Sequence, residues 1–205
     1  LHPKTALLEK EFEALNLYLD TGGRLLVATQ AGFGAAVNPV VGPRGLMVET
    51  GVIVDPDVSG TVDVQGKPAA MIAAYTDHPV VARLVASGLR TLFRESAPIS
   101  LRTSRLGRVQ PLAAASPNSW VESDPLSRVW QKPKEIPQPS MLAAVWSQDH
   151  SELEVRRSRE ARIALIGDAT MMSNAGLIHA GNRNLMLNMM TWLTSDHDQL
   201  EITAS

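Results

Sequence analysis

At 205 residues, 44% of them apolar and 20% charged, the chain has the composition of a packed globular domain and not of a disordered one. Lysine and arginine (19) nearly balance aspartate and glutamate (21), and a net charge of -2 supplies no chain-wide positive field, so no nucleic-acid partner is expected. The absence of cysteine excludes disulfides, thiolate metal sites and cysteine nucleophiles.

From Thr5 to Asp20, Leu8, Phe12, Leu15 and Leu19 recur at helical spacing, with Leu7, Ala14 and Tyr18 widening the stripe, which predicts an amphipathic helix. Gly22 and Gly23 end it and lead into a buried strand over Leu25–Ala28. A glycine-rich connection around Gly32, Gly34, Gly42 and Gly45 precedes a second strand, Gly51–Val54, and a third is expected near Met71–Tyr75. Pro79 suits the first turn of a helix continued by Val81, Leu84, Val85, Gly88 and Leu92, with His78 setting its entry.

Seven of the thirteen prolines fall in 98–140, which reads as an irregular, partly β insertion within a single α/β domain spanning 1–205; Val109–Ala115 is its main apolar piece. Met141–Trp146 is a short apolar strand, and 149–160 a charged surface stretch. Arg162–Gly167 is the clearest strand, because Ile163, Ala164, Leu165 and Ile166 form the unbroken apolar run expected when both faces of a parallel sheet are covered. A final helix from about Arg183 to Thr194 carries Leu185, Met186, Met189, Met190 and Leu193, with Asn182 as its N-cap. The arginines at 102, 105 and 108 and at 156, 157, 159 and 162 read as solvated or salt-bridged surface positions.

Chemistry-bearing motifs are sparse. Gly32 and Gly34 lack the third glycine of a dinucleotide loop, since Val37 stands there, and no phosphate-loop lysine follows. There is no Gly-x-Ser-x-Gly elbow, and His2, His78, His150, His179 and His197 lack metal-ligand spacing, so no cofactor and no metal is expected. One constellation stands out at the end of the strong strand: Asp168, Ser173, Asn174, Asn182, Arg183 and Asn184. It reads either as a ligand-binding strand-end rim or, preferably, as side chains that organise loops and cap helices. No second titratable group is paired in sequence with Asp168, so the chain reads as non-enzymatic. Two alternatives stay open: a hydrolase or amidotransferase-like enzyme using Asp168 with His78 or His179, and a small-molecule or carbohydrate module stacking on Trp120, Trp130 or Trp146. Met171, Met172, Met186, Met189 and Met190 read as core filling in preference to a plastic groove.

The segment ARIALIGDATMMSNAGLIHAGNRNLMLNMMTWLTSDHDQLEI, from Ala161 to Ile202, resembles the closing segment of the GldG-like family, gliding-motility-type auxiliaries of ABC transport systems. The matching residues are Gly167, Asp168, Ser173, Asn174, Gly181, Asn182, Arg183, Leu185, Asn188, Trp192 and Leu193. LEKEFEALNLYLDTGGRLLV, His78–Val80, and Ser119, Trp120, Val121, Glu122, Ser123 and Asp124 add scattered matches. Ala28, Thr29 and Gln30 depart from an Asp-Pro after the first strand, as does Gln138 from a Gly-Pro before a later one. The resemblance implies a mostly parallel sheet covered by helices, a glutamine-amidotransferase-like (flavodoxin-like) three-layer sandwich. It also implies a membrane-anchored intact protein at the periplasmic, extracytoplasmic face of the inner membrane, partnered by an ABC transporter permease or an envelope protein, with no catalysis. Without an initiator methionine, and opening almost directly into a helix, the sequence is expected to be a soluble piece of that protein, cut after a further strand.

Overall fold

The computed structural model describes residues 1–55, 70–71, 74–123, 140–149, 160–179 and 181–195. The expected charged stretch beyond Asp149, most of the second arginine cluster, His150, His197, Trp130, Asp124 and the closing residues after Ser195 lie outside them.

The first helix, α1 (Glu9–Asp20), starts where Glu11 Oε2 accepts the Leu8 N–H at 2.8 Å. It stops at Gly22, whose φ of 87° is open to glycine and costly for other residues, and the chain turns into β1 (Arg24–Ala28). The glycine-rich connection contains a helix that periodicity did not announce, α2 (Gly34–Val41), followed by a 3₁₀ turn at Gly42–Arg44 and β2 (Leu46–Val48). Next come β3 (Val52–Val54), β4 (Ala70–Met71), β5 (Ala74–Tyr75), α3 (Pro79–Ala86) and β6 (Leu92–Phe93). Within 98–140, β7 (Ile99–Leu101) and β8 (Arg108–Ala114) join the main sheet, and β9 (Trp120–Glu122) pairs with β3. The chain closes with β10 (Met141–Gln148), β11 (Ala161–Ile166), a 3₁₀ turn at Ala169–Met172, α4 (Asn174–Leu177) and α5 (Asn182–Thr194).

In the main sheet β11 lies next to the edge strand β1, which it pairs in parallel (Leu25 opposite Ile163, Val27 opposite Leu165), and it pairs antiparallel with β10 (Trp146 opposite Ile163, Ala144 opposite Leu165). β8 runs antiparallel along β10 with register shifts between Met141 and Ala144, and β5 pairs with β8. β7 meets β10 at Met141 and carries β2 on its far side. Among the described residues the β1–β11 pairing alone is parallel. The expected mostly parallel, flavodoxin-like sandwich is therefore corrected: the sheet is mixed, curled and predominantly antiparallel. An unbroken apolar run reports burial on both faces and is silent about direction. Ile163 and Leu165 face one core with Leu19 of α1 and Val37, Val40 and Val41 of α2, whereas Ala164 and Ile166 face another with Leu84 of α3 and Leu185 and Met189 of α5.

The outer edge of β2 is closed by a side chain. Asn38, on α2, donates Nδ2–H to Val48 O and accepts the Val48 N–H on Oδ1, both at 2.9 Å, so its amide serves where a neighbouring strand would.

Each core contains a buried arginine, contrary to the expectation that Arg162 is a surface position. Arg44 donates to Asn16 Oδ1 (2.6 Å), Val40 O (2.9 Å) and Asp20 Oδ1 (2.8 Å) and lies over the Trp146 ring. Burial presses its pKa down, and Asp20 acts against that. Arg162 lies over the Trp192 ring, donates to Trp192 O and Ser195 O at the end of α5, and is paired with Glu160 at 2.6 Å. A cation suits the carbonyl end of a helix, and the planar fork reaches three acceptors at once. Arg162→Met is expected to remove the ion-pair partner at 2.6 Å from Glu160, the guanidinium donor to Trp192 O and one of the two donors to Ser195 O, and to cost about 3–5 kcal/mol in urea denaturation. Adding Glu160→Gln should recover part of that loss, and a single variant as stable as the parent would contradict the assignment.

Candidate functional site

β11 is followed by Gly167 and Asp168, where the binding rim or loop-organising cluster is expected. Gly167 N–H donates to Leu142 O and Gly167 O accepts the Ala97 N–H, both at 2.9 Å. A Cβ at Gly167 would lie 2.3 Å from Ala97 O and 2.6 Å from Ser96 Oγ, so only glycine admits this approach. The chain that approaches is 90–97, which crosses the end of the strand.

Asp168 is fully buried, and both of its carboxylate oxygens are occupied. Oδ2 accepts the Arg94 N–H at 2.6 Å, and Oδ1 accepts the Thr170 N–H at 2.8 Å and the Thr170 hydroxyl at 2.6 Å. Burial pushes its pKa up, while the Thr170 hydroxyl, the Arg94 and Thr170 amides and the Arg94 charge pull the other way. Asn182 is also buried. It occupies the first turn of α5 instead of the N-cap position, which Gly181 takes, and the expected capping role is corrected accordingly. Its Oδ1 accepts the Leu92 N–H at 2.7 Å, and its Nδ2 donates to Leu92 O and Gly176 O, both at 3.0 Å. In effect a side-chain amide pairs with Leu92 as a strand residue would. Gly181 N–H to Arg90 O (2.6 Å) and Ile53 N–H to Ser96 O (2.9 Å) complete the anchorage of 90–97.

The remaining members separate. Ser173 caps α4, accepting the Gly176 N–H at 3.1 Å and donating to Thr170 O at 2.7 Å. Asn174, Arg183 and Asn184 are exposed and line an open groove of about 830 Å³ between α4 and α5, with Leu177, Ile178, Met186, Leu187 and Met190. The methionines divide likewise: Met171, Met186 and Met189 fill the core, whereas Met190 and Met172 are exposed.

The histidines proposed as partners of Asp168 are engaged elsewhere. His78 Nδ1 accepts the Val80 N–H at 3.2 Å, capping α3 as expected, and its ring meets Trp192 edge-on at 5.7 Å. His179 Nε2 lies 2.6 Å from the Arg94 guanidinium. Trp120 and Trp146 are buried, so neither presents a ring face for stacking. In the smaller β3–β9 sheet, Asp55 accepts the Ser116 N–H (2.8 Å) and hydroxyl (2.5 Å), and Glu122 is buried. Among the described residues, no three His, Asp or Glu side chains gather to hold a metal ion, and no helix is long and apolar enough to cross a membrane.

Sequence reasoning located the end of β11 but missed 90–97, the segment the cluster holds. Nothing in Thr91, Leu92, Phe93 and Arg94 signals a clamped crossing, and β6 is two residues long. Glycine at 167 beside aspartate at 168 was the available clue, since a glycine directly after a buried strand marks a close backbone approach.

No protein-family model matches this chain, and no curated protein matches it. A solved structure described as "mmIFT52 N-terminal domain" superposes with a TM-score of 0.66 at 19% sequence identity, covering 95% of this chain and 75% of that one. At that identity the likeness shows the fold alone, and this neighbour replaces the flavodoxin-like sandwich as the architecture the chain is similar to.

Asn182→Ala removes the side-chain partner of the Leu92 N–H and O in the interior and one of the two donors to Gly176 O, which keeps the His179 N–H. With about 1–3 kcal/mol for each orphaned group and partial relaxation, urea denaturation should show a loss of roughly 2–4 kcal/mol. His78 gives a pH signature. Burial first, then the charges of Arg108 and Arg162, lower its pKa from 6.5 to about 4, with Asp77 opposing. The unfolded chain therefore binds the proton between those values and the folded chain does not, so stability is full above pH 6.5 and falls as pH drops towards 4. His78→Asn keeps a capping acceptor and removes the titration. The parent should lose on the order of 2 kcal/mol relative to the variant between pH 7 and pH 4.5, a comparison in which the contribution of Asp168 cancels.

Proposed function

We propose that this chain is a non-enzymatic binding or scaffolding domain, the extracytoplasmic part of a membrane-anchored, GldG-like auxiliary of an ABC transport system, acting on a permease or an envelope protein. One observation supports the non-enzymatic half above the others: the strand-end position where α/β proteins bind ligands is filled by the chain's own 90–97 segment, with Asp168 and Asn182 spent on holding it. A general acid or base needs a free lone pair or proton within reach of a substrate, and the Asp168 carboxylate is sealed from solvent and hydrogen-bonded at both oxygens. The transport context rests on the matches between Gly167 and Leu193, of which Gly167, Asp168, Ser173 and Asn182 hold the local structure together. A binding domain built this way exposes its partner surface elsewhere.

Two measurements test this. Asp168→Asn turns an acceptor-only group into one whose NH₂ must face either the Arg94 or the Thr170 amide, and a loss of about 1–3 kcal/mol in stability is expected. An unchanged melting temperature would remove the structural role and reopen the enzymatic one. For the context, the tagged full-length protein, isolated from membranes of its source, should enrich an ABC permease subunit over an untagged control by quantitative mass spectrometry. Enrichment of soluble enzymes with no permease would overturn the assignment.

A further inference from the structure

The groove between α4 and α5 differs from the rest of the surface. Three of the ten exposed large hydrophobic residues among the described residues line it: Ile178 at 78%, Leu187 at 56% and Met190 at 47% relative exposure. Single exposed apolar side chains are ordinary, but a contiguous set with a polar rim marks a contact surface. Arg183, Leu187 and Met190 stand at i, i+4 and i+7 along α5, one stripe about 10 Å long at 1.5 Å per residue, and Ile178 forms the opposite wall. Among the described residues, Arg183 is the charged residue of the lining, no carboxylate accompanies it there, and it makes neither an ion pair nor a hydrogen bond.

We propose that this groove docks an amphipathic helix of a partner protein, apolar along one stripe and acidic beside it. The inference rests on the binding-domain reading above and names the partner chemistry that reading leaves open. A helix suits the geometry because the walls are helices spaced around an apolar, methionine-containing floor, and i, i+3/i+4, i+7 anchors from a partner match the same spacing on α5. Strand addition would need an open sheet edge, which this face lacks, and a small-molecule site would need buried polar groups converging on its floor, whereas the polar groups here stand on the rim. A second copy of this chain fits poorly. Across a two-fold axis the patch meets itself, and its lining brings no carboxylate to Arg183.

The probe is an acetylated, amidated helical peptide with leucines at i, i+4 and i+7 flanked by glutamates, beside a counterpart with lysine in place of each glutamate, read by fluorescence anisotropy at low salt. The acidic peptide should bind at least tenfold tighter than the basic one. Arg183→Glu should reverse that preference, and Ile178→Asp with Leu187→Asp should weaken binding at least tenfold while circular dichroism and melting temperature stay near parental, since these side chains are exposed. The proposal is overturned if neither peptide binds at millimolar concentration, if binding ignores Arg183→Glu, or if sedimentation shows a dimer that Leu187→Asp dissolves. Loss of the groove with permease enrichment intact would leave the binding-domain reading standing; specific peptide binding without any permease would do the opposite.

Discussion

The hydrogen bond from the Arg94 amide to Asp168 decides what the end of β11 can be. A carboxylate at the tip of a strand covered on both faces is cut off from water, so its charge must be met by donors from the protein itself. The donors come from 90–97 and from the turn at Thr170, and once they are committed the segment lies across the end of β11. Gly167 permits the approach, and Asn182 fixes the segment two residues away by pairing with Leu92. Each contact presupposes the others, because a backbone crossing held at one point would leave the rest of its polar groups buried and unpaired.

The same logic places the two buried arginines. A sheet covered on both faces has helices ending over apolar ground, where the last carbonyls lack water. Arg44 supplies donors to Val40 O of α2 and Arg162 to Trp192 O and to Ser195 O just past α5. Each guanidinium lies over a tryptophan, 5.4 Å from the Trp146 ring and 5.1 Å from the Trp192 ring, which lets a cation sit in an apolar layer with its planar face attractively covered. Asp20 and Glu160 complete the neutralisation.

What could be read from the sequence was whatever depends on local periodicity. The apolar stripes of α1, α3 and α5 and the run of β11 were legible because burial of one face or two imprints directly on residue order. Strand direction was not, since β10 and β11 pair antiparallel while both are sealed on both faces, and a continuous apolar run looks the same either way. α2 was hidden by Gly34 and Pro39, which argue against a helix locally; burial of Ala36, Val37, Val40 and Val41 against the sheet outweighs that propensity. The strand-end cluster was legible as a place, but its roles were not. Whether an asparagine caps a helix or pairs with a distant backbone depends on which segment tertiary structure brings to it, and Leu92 lies 90 residues from Asn182. Arg162 was misplaced for a related reason, because its helix-end acceptors are some thirty residues downstream.

The buried cluster and the exposed groove are mechanically one unit. Asn182 Nδ2 donates to Gly176 O, so a single amide ties the first turn of α5 to α4 while its oxygen is fixed by Leu92. Ser173 caps α4 from the turn that Asp168 organises, and Gly181 N–H to Arg90 O pins the connection between the helices. The separation of the two groove walls is therefore set by the residues that fill the strand-end crevice, not by contacts inside the groove. A surface held open in this way would lose little conformational freedom on docking the proposed helix, which would not have to bring the walls together. Holding 90–97 across the end of β11 and fixing the spacing of the groove walls are thus two consequences of one set of hydrogen bonds.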